Sequence, residues 1–305
     1  MWLDSSGKTQ PLLQKPGTYY SPSISPDGRQ LAIVLESGKD QDAWIYDTQR
    51  DSMSRLTYNS SGGLYPVWYP DGKHIVFQLR SPGVNAIEWI RSDGAGEAMR
   101  LLEGTSERFP ESFSPDGRRL AYTELNSETG ADLWSVALDL SDPEHPKAGK
   151  PEPFLRTPFN ERDPAFSPDG RWMAYTSTES GIEELYVRPF PGPGGKWQIS
   201  TGGAEYPKWS RSARELFYES LTDDRIMVAD YTATADSFSA SKPRVAASAR
   251  MINAAGVPNW DLAADGKRFV VFPAPDPAAG DRGSVHVTFL LNFFDELRRR
   301  IPTGK

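Results

Sequence analysis

The sequence predicts an all-β protein, a six-bladed β-propeller with four-stranded antiparallel blades. A recurring hairpin turn carries the prediction. It reads Ser25-Pro26-Asp27-Gly28 and returns at 69–72 (with Tyr69 in the Ser position), 114–117 and 167–170. Two worn copies follow. Residues 210–213 have lost the Pro, Asp and Gly, and Ala264-Asp265-Gly266 keeps the last two. Pro presets φ for the second position of a type I turn, and Gly accepts the left-handed backbone after it, so each copy closes a hairpin with a bulge. The apolar run that follows, such as Leu31-Ala32-Ile33-Val34, reads as a buried strand, and Val67-Trp68-Tyr69 before the second turn reads as a partner strand.

The spacing is the second observation. From one turn Gly to the next, with Ala213 standing in once, the steps are 44, 45, 53, 43 and 53 residues. Repeats of about 40–50 residues built from short strands are propeller blades, and six copies make six blades around a channel. The 26 Gly, 26 Pro and 11% aromatic residues suit short strands and turns, where helical repeats would be poorer in Pro. Each blade adds its own core layer, so 305 residues fit one ring.

Taken in order, Trp2-Leu3 and Pro11-Leu12-Leu13 read as short strands around a Ser5-Ser6-Gly7-Lys8 turn. They lack inner strands and are expected to complete the last blade, which removes two open sheet edges. That blade draws its other strands from 259–262, 269–272 and 285–290, so both ends offer a middle strand and the closure register stays open. The propeller is expected over 1–291, with 1–14 completing the last blade and blades at about 18–57, 63–103, 107–156, 161–201, 204–247 and 256–291. In blades one to five the inner strand precedes the turn and the second follows it. The third carries large residues, as in Ala43-Trp44-Ile45-Tyr46, and an outer strand closes the unit. The stretches 140–151, 232–241 and 273–283 have no pattern of their own and read as surface loops. Residues 292–305 read as a short C-terminal helix and tail: Asn292 caps it, three arginines sit late, and Pro302 stops it. Its Phe293, Phe294, Leu297 and Ile301 fall near one face, which is expected to dock on the rim.

The formal charge of −7 argues against nucleic acid as a partner. No run approaches the ~18 apolar residues of a membrane span. Met1-Trp2-Leu3-Asp4 has neither the basic start nor the apolar stretch of a signal peptide. With no Cys, disulfides, thiol catalysis and Cys–zinc sites are excluded. Met1 falls almost directly on a strand, so the chain reads as part of a longer protein. A monomer is expected, and the compartment is open.

The pattern Pro-x-[Trp/Phe]-Ser-Pro-Asp-Gly-[Arg/Lys]-x-[Leu/Ile]-Ala-[Tyr/Phe] resembles the propeller repeats of TolB and related WD-like proteins. The start Trp2-Leu3-Asp4-Ser5-Ser6-Gly7-Lys8 and the ending Asn292-Phe293-Phe294-x-Glu296-Leu297 look more particularly like the C-terminal propeller of bacterial membrane-anchored serine/threonine protein kinases. There the propeller follows a kinase domain and a membrane span, which would put it outside the cytoplasm. No Gly-rich nucleotide loop, His-Arg-Asp or Asp-Phe-Gly stands in this chain. Related propellers also cap prolyl-oligopeptidase-like hydrolases, whose nucleophile elbow is missing too. The resemblance implies a sensing or scaffolding module.

Several motifs yield to simpler explanations. Gly7-Lys8-Thr9 has Trp2 where a phosphate loop needs Gly, so it reads as a hairpin turn. Ser5-x-x-Lys8 lacks the companion motifs of an acylating serine. His74, His145 and His286 have no metal-ligand spacing. Asp27, Asp71, Asp116, Asp169 and Asp265 look like a ring of ligands, but bonding to their own turn backbone explains them. No cofactor or metal is expected.

The loops entering the inner strands differ from blade to blade. In a propeller they converge on one mouth of the channel, bringing together Tyr20, Tyr65, Phe109 and Tyr206 with Glu107, Arg108, Glu161, Arg162, Glu205 and Asn259. Aromatics beside charges form a recognition rim; alternatively the aromatics pack between blades and the charges are solvated. The expected function is non-enzymatic binding of a protein, peptide or small ligand at this mouth. The alternative is a hydrolase or lyase with its site in the channel, which a convergent cluster of Asp, Glu or His with displaced pKa values would favour.

Overall fold

The computed structural model describes residues 1–13, 15, 17–38, 40–58, 63–223, 225–234, 237–248, 251 and 256–274. The strand expected at 285–290, His286, the Pro/Gly loop from 275 on and the C-terminal helix lie outside these residues. The described strands form six antiparallel sheets, the six blades. In blade one Thr18–Ile24, Gln30–Ser37, Asp40–Asp47 and Ser52–Arg55 follow one another from channel to rim. In the last blade Trp260–Leu262 is innermost and Arg268–Val271 second. The N-terminal Trp2–Asp4 takes the third place and Thr9–Gln10 the outer one. The closure register pairs Trp2 with Val270 and Leu3 with Phe269, so the ring is shut by strands from the two ends of the propeller.

The turns form as their residues dictate. Gly28, Gly72, Gly117, Gly170 and Gly266 all have φ between 68° and 73°, and each donates its N–H three residues back, as Gly117 does to the Ser114 carbonyl at 2.8 Å. Asp27 Oδ1 accepts the Arg29 N–H at 3.0 Å, and Asp71, Asp116, Asp169 and Asp265 repeat the bond. In the worn copy Ser210 Oγ accepts the N–H groups of Ser212 and Ala213 instead, so a hydroxyl does the work of the lost Asp.

Adjacent blades interdigitate through separate apolar clusters. Between blades four and five Trp172, Val187, Trp209, Leu216 and Phe238 pack together; between six and one, Val270 and Phe272 meet Leu31 and Ile33. Indole N–H groups pin neighbouring inner strands: Trp68 donates to the Ser23 carbonyl at 2.8 Å and Trp209 to the Ala165 carbonyl at 2.9 Å. Two stretches expected to be plain loops are partly strand. Lys147–Ala148 pairs with the extended third strand of blade three, and Phe238–Ala240 does so in blade five. The reason in blade five is Phe238. It is 3% exposed and stacks on Tyr231, so the excursion is anchored by apolar burial.

Candidate functional site

The channel wall begins with a backbone irregularity. In blades one, two, four and five the residue before the inner-strand proline is left-handed: Ser21 (φ 47°), Tyr65 (53°), Asp163 (56°) and Tyr206 (53°). This conformation is uncommon outside Gly. The pairing skips at the same place, between Tyr20 and Ser23, Leu64 and Val67, Arg162 and Ala165, and Glu205 and Lys208. Each inner strand therefore carries a β-bulge, which re-aims a side chain. Blade three shifts register between Pro110 and Ser112, leaving Glu111 as its extra residue. All five bulge residues, Ser21, Tyr65, Glu111, Asp163 and Tyr206, line one cavity of about 730 Å³. It reaches down to the Pro26, Pro115 and Pro168 turns. Left-handed residues held by surrounding structure recur at binding and catalytic sites.

The cavity is rich in carboxylates. Glu111, Asp163, Glu183, Glu205 and Asp261 line it, against Arg162, Lys208 and Arg211. Lys208 Nζ is taken by Asp261 at 3.2 Å, and the other oxygen of Asp261 accepts the Ile24 N–H at 2.7 Å. Arg162 lies near Glu111, Asp163 and Glu205 but closes no direct ion pair with any of them. The single hydroxyl of Thr176 stands 3.2 Å from Asp163 Oδ2 and 2.8 Å from Glu183 Oε1, so one proton serves two carboxylates. The Tyr206 N–H reaches Asp163 at 3.3 Å, and Thr123 Oγ1 meets Glu111 at 3.0 Å. Burial pushes Asp163 up to about 6, with the Glu183 charge adding to it. Burial, then Asp163, Glu183 and Glu219, lift Glu205 to about 8. Glu111 is raised well above the carboxylate range by burial and by Asp163. These groups ionise less readily than free carboxyls because charging them all in a confined space is unfavourable.

Aromatic rings complete the wall. Tyr65 meets Phe109 edge-on at 5.0 Å, and its Oη donates to the Gly256 carbonyl at 2.8 Å. Ser21 is 4% exposed and its Oγ has no hydrogen-bond partner. Among the described residues no three His, Asp or Glu side chains are placed to hold a metal ion.

Of the ten residues expected at the mouth, Tyr65, Phe109, Arg162, Glu205 and Tyr206 line the cavity and five do not. Tyr20 Oη bonds Glu36 at 3.1 Å. Arg108 is paired with Glu124 at 2.6 Å, and Glu107 stands 3.9 Å from Arg80. Glu161 is buried against Thr157, and Asn259 is buried in the last blade. The bulge decides the division: Glu161, ahead of it, does not reach the cavity, whereas its neighbours Arg162 and Asp163 both line it. Asp163, Glu111, Glu183 and Ser21 were missed. The residue before each inner-strand proline was the available signal for Ser21 and Asp163.

Residues 3–146 match the family model of the TolB beta propeller domain, PD40. Over that stretch, a little under half of its length, the chain is similar to the TolB propeller family. This propeller superposes on a TolB-type structure from Agrobacterium tumefaciens with a TM-score of 0.61 and 18% identity, covering 90% of this chain and 97% of that one. On TolB from Acinetobacter baumannii the TM-score is 0.62 with 16% identity, covering 90% and 59%. In sequence, the chain is 26% identical to the uncharacterized peptidase YuxL of Bacillus subtilis over 192 residues, 51% of this chain and 29% of YuxL. It thus spans under a third of that relative's length.

Proposed function

We propose that this propeller is a non-enzymatic binding module that holds a ligand, either a small molecule or an extended peptide segment, in the channel. One observation carries the reading: the bulge residues of five blades converge on a single cavity of about 730 Å³, within the size range of ligand sites. The wall mixes aromatic faces with charges that the protein leaves incompletely paired, which is the composition of a recognition surface. The likeness of the chain's two ends to kinase-associated propellers supports a sensing role for the same cavity. The test is a ligand-observed NMR screen of amino acids, short peptides and oligosaccharides. Hits should lose affinity by roughly tenfold or more in Tyr65→Ala, the cost of one good contact, with the melting temperature little changed. Hits indifferent to Tyr65→Ala and to Glu205→Gln would overturn it.

A second reading has one observation in its favour. Asp163 at about 6 and Glu205 at about 8 are poised to trade protons at neutral pH, as a general acid or base must. A hydrolase or lyase using them would turn over a bound substrate. Glu205→Gln would then abolish product formation while leaving binding intact, whereas a binding module forms no product in either protein.

A further inference from the structure

The cavity charges do not balance, and the imbalance has a place. With Lys208 held by Asp261 at 3.2 Å, four further carboxylates, Glu111, Asp163, Glu183 and Glu205, share the cavity with two other cations, Arg162 and Arg211, and Arg162 pairs directly with none of the four. Asp163 and Glu183 compete for the one proton of Thr176. A carboxylate cluster alone can be no more than a costly patch. Here a second feature lines the same cavity: Ser21 is 4% exposed and its hydroxyl has no partner. A buried hydroxyl left unpaired is unfavourable unless something arrives to bond it. The rings of Tyr65, Phe109 and Tyr206 line the same cavity, and the negative faces of aromatic rings attract cations. An arriving group should therefore be positive, should donate several hydrogen bonds, and should carry an apolar stem.

We infer that the channel recognises an organic cation, an alkylammonium or guanidinium group on an aliphatic stem, with the Asp163, Glu183 and Glu205 carboxylates receiving the charge and the aromatic wall receiving the stem. The group is that of a lysine or arginine side chain and equally of a free aliphatic diamine. A bare metal ion fits less well: no three-ligand set is arranged for one among the described residues, and a metal would leave the aromatic faces unused. Arg162 acts as an internal competitor, so removing its charge should strengthen capture of a cation and weaken capture of an anion. Residue substitutions at Glu205 and Arg162 should therefore act with opposite signs.

The inference rests on the binding reading above, and titration calorimetry separates the two. The intact protein is titrated at pH 9, above the value of about 8 at which Glu205 ionises, and at low salt with 1,5-diaminopentane, with Gly-Lys-Gly and Gly-Arg-Gly amides, and with the neutral and acidic analogues Gly-norleucine-Gly and Gly-Glu-Gly amides. A cationic probe should bind at least about tenfold tighter than the norleucine peptide, the worth of a charge-assisted hydrogen bond. Glu205→Gln and Asp163→Asn should each remove most of that margin, and Arg162→Gln should widen it. Binding of the diamine alone would mark a free amine as the ligand, and binding of the peptides alone a basic side chain. Tighter binding of the norleucine or glutamate peptide would overturn the cation and leave the binding module standing. Failure of every cationic probe at millimolar concentration would also overturn the cation, while the wider screen decides the module. Because the amide variants keep side-chain size, and Arg162→Gln predicts a gain, a folding defect cannot imitate the expected pattern.

Discussion

The two ends of the channel use the same side-chain chemistry for opposite purposes. At the turn end, Asp27 and Asp116 are held below the ordinary aspartate range, first by the hydroxyls of Ser25 and Ser114, which donate at 2.7 and 2.6 Å, and then by backbone N–H groups of their own turns. They are ionised, saturated with donors and open to water. At the bulge end, Glu111, Asp163 and Glu205 are crowded together and pushed upward. The turn carboxylates recur blade after blade because every hairpin needs the same bond. The channel carboxylates do not recur, and no hairpin or strand pairing requires them. Repetition marks what the fold needs, and departure from it marks where the molecule can do something else.

The comparison is sharpest where one turn differs from another. Gly28 and Gly117 have nearly equal φ, 73° and 71°. A side chain at Gly28 meets open space, but a Cβ at Gly117 would stand 2.6 Å from ring carbons of Tyr69, in the preceding blade. Gly117→Val should therefore cost about 3 kcal/mol or more, since left-handed strain and overpacking add. Gly28→Val should cost only about 1–2 kcal/mol from the backbone alone. Thermal or urea unfolding of both variants measures the difference. Equal losses would mean that the turns do not brace one another.

The bulge end should reveal itself through pH. Glu205 has a folded value of about 8 against an ordinary 4.5. The folded protein therefore binds more protons than the unfolded chain between those values, and this group's contribution to stability falls as pH rises from about 5 to 8. Glu205→Gln should match the wild type near pH 4.5 and exceed it at pH 8 by roughly 2–4 kcal/mol, as a shift of this size implies. Chemical denaturation across that range checks it. Parallel curves for the two proteins would show that the channel carboxylates are not crowded.

Most of the ring was legible because its determinants are local. Pro26, Asp27 and Gly28 state a turn within three residues, and their spacing counts the blades. The mouth was half legible. Tyr65, Phe109, Arg162, Glu205 and Tyr206 reach the cavity, while Arg108 turns away to Glu124. Which neighbour points inward depends on where the bulge falls, and that depends on pairing with a strand ten or more residues away. Glu183 was out of reach altogether, since it lies beyond the second strand of blade four and meets Asp163 only through Thr176. Phe238 was hidden for a similar reason. Its surroundings are polar in sequence, and its partners Trp172, Trp197 and Trp209 come from elsewhere in the chain.

The smallest expected effect tests the turn carboxylates from the other side. Asp27→Ala removes the acceptor for the Arg29 N–H and for Ser25 Oγ on an exposed turn, and should cost about 0.5–1 kcal/mol at neutral pH. Its sign with pH should be opposite to that of Glu205. Because Asp27 is held below its ordinary value, it stabilises the fold above the unfolded pKa, and that contribution fades as pH falls through the folded one. Asp27→Asn keeps an acceptor of the same shape without the charge, so its deficit should be smaller and should shrink toward acid. Neither change should alter what the channel binds. If Asp27→Ala instead changed ligand affinity as Glu205→Gln does, the division between a structural end and a recognising end would fail, because the turn would be communicating with the site through the strand that joins them.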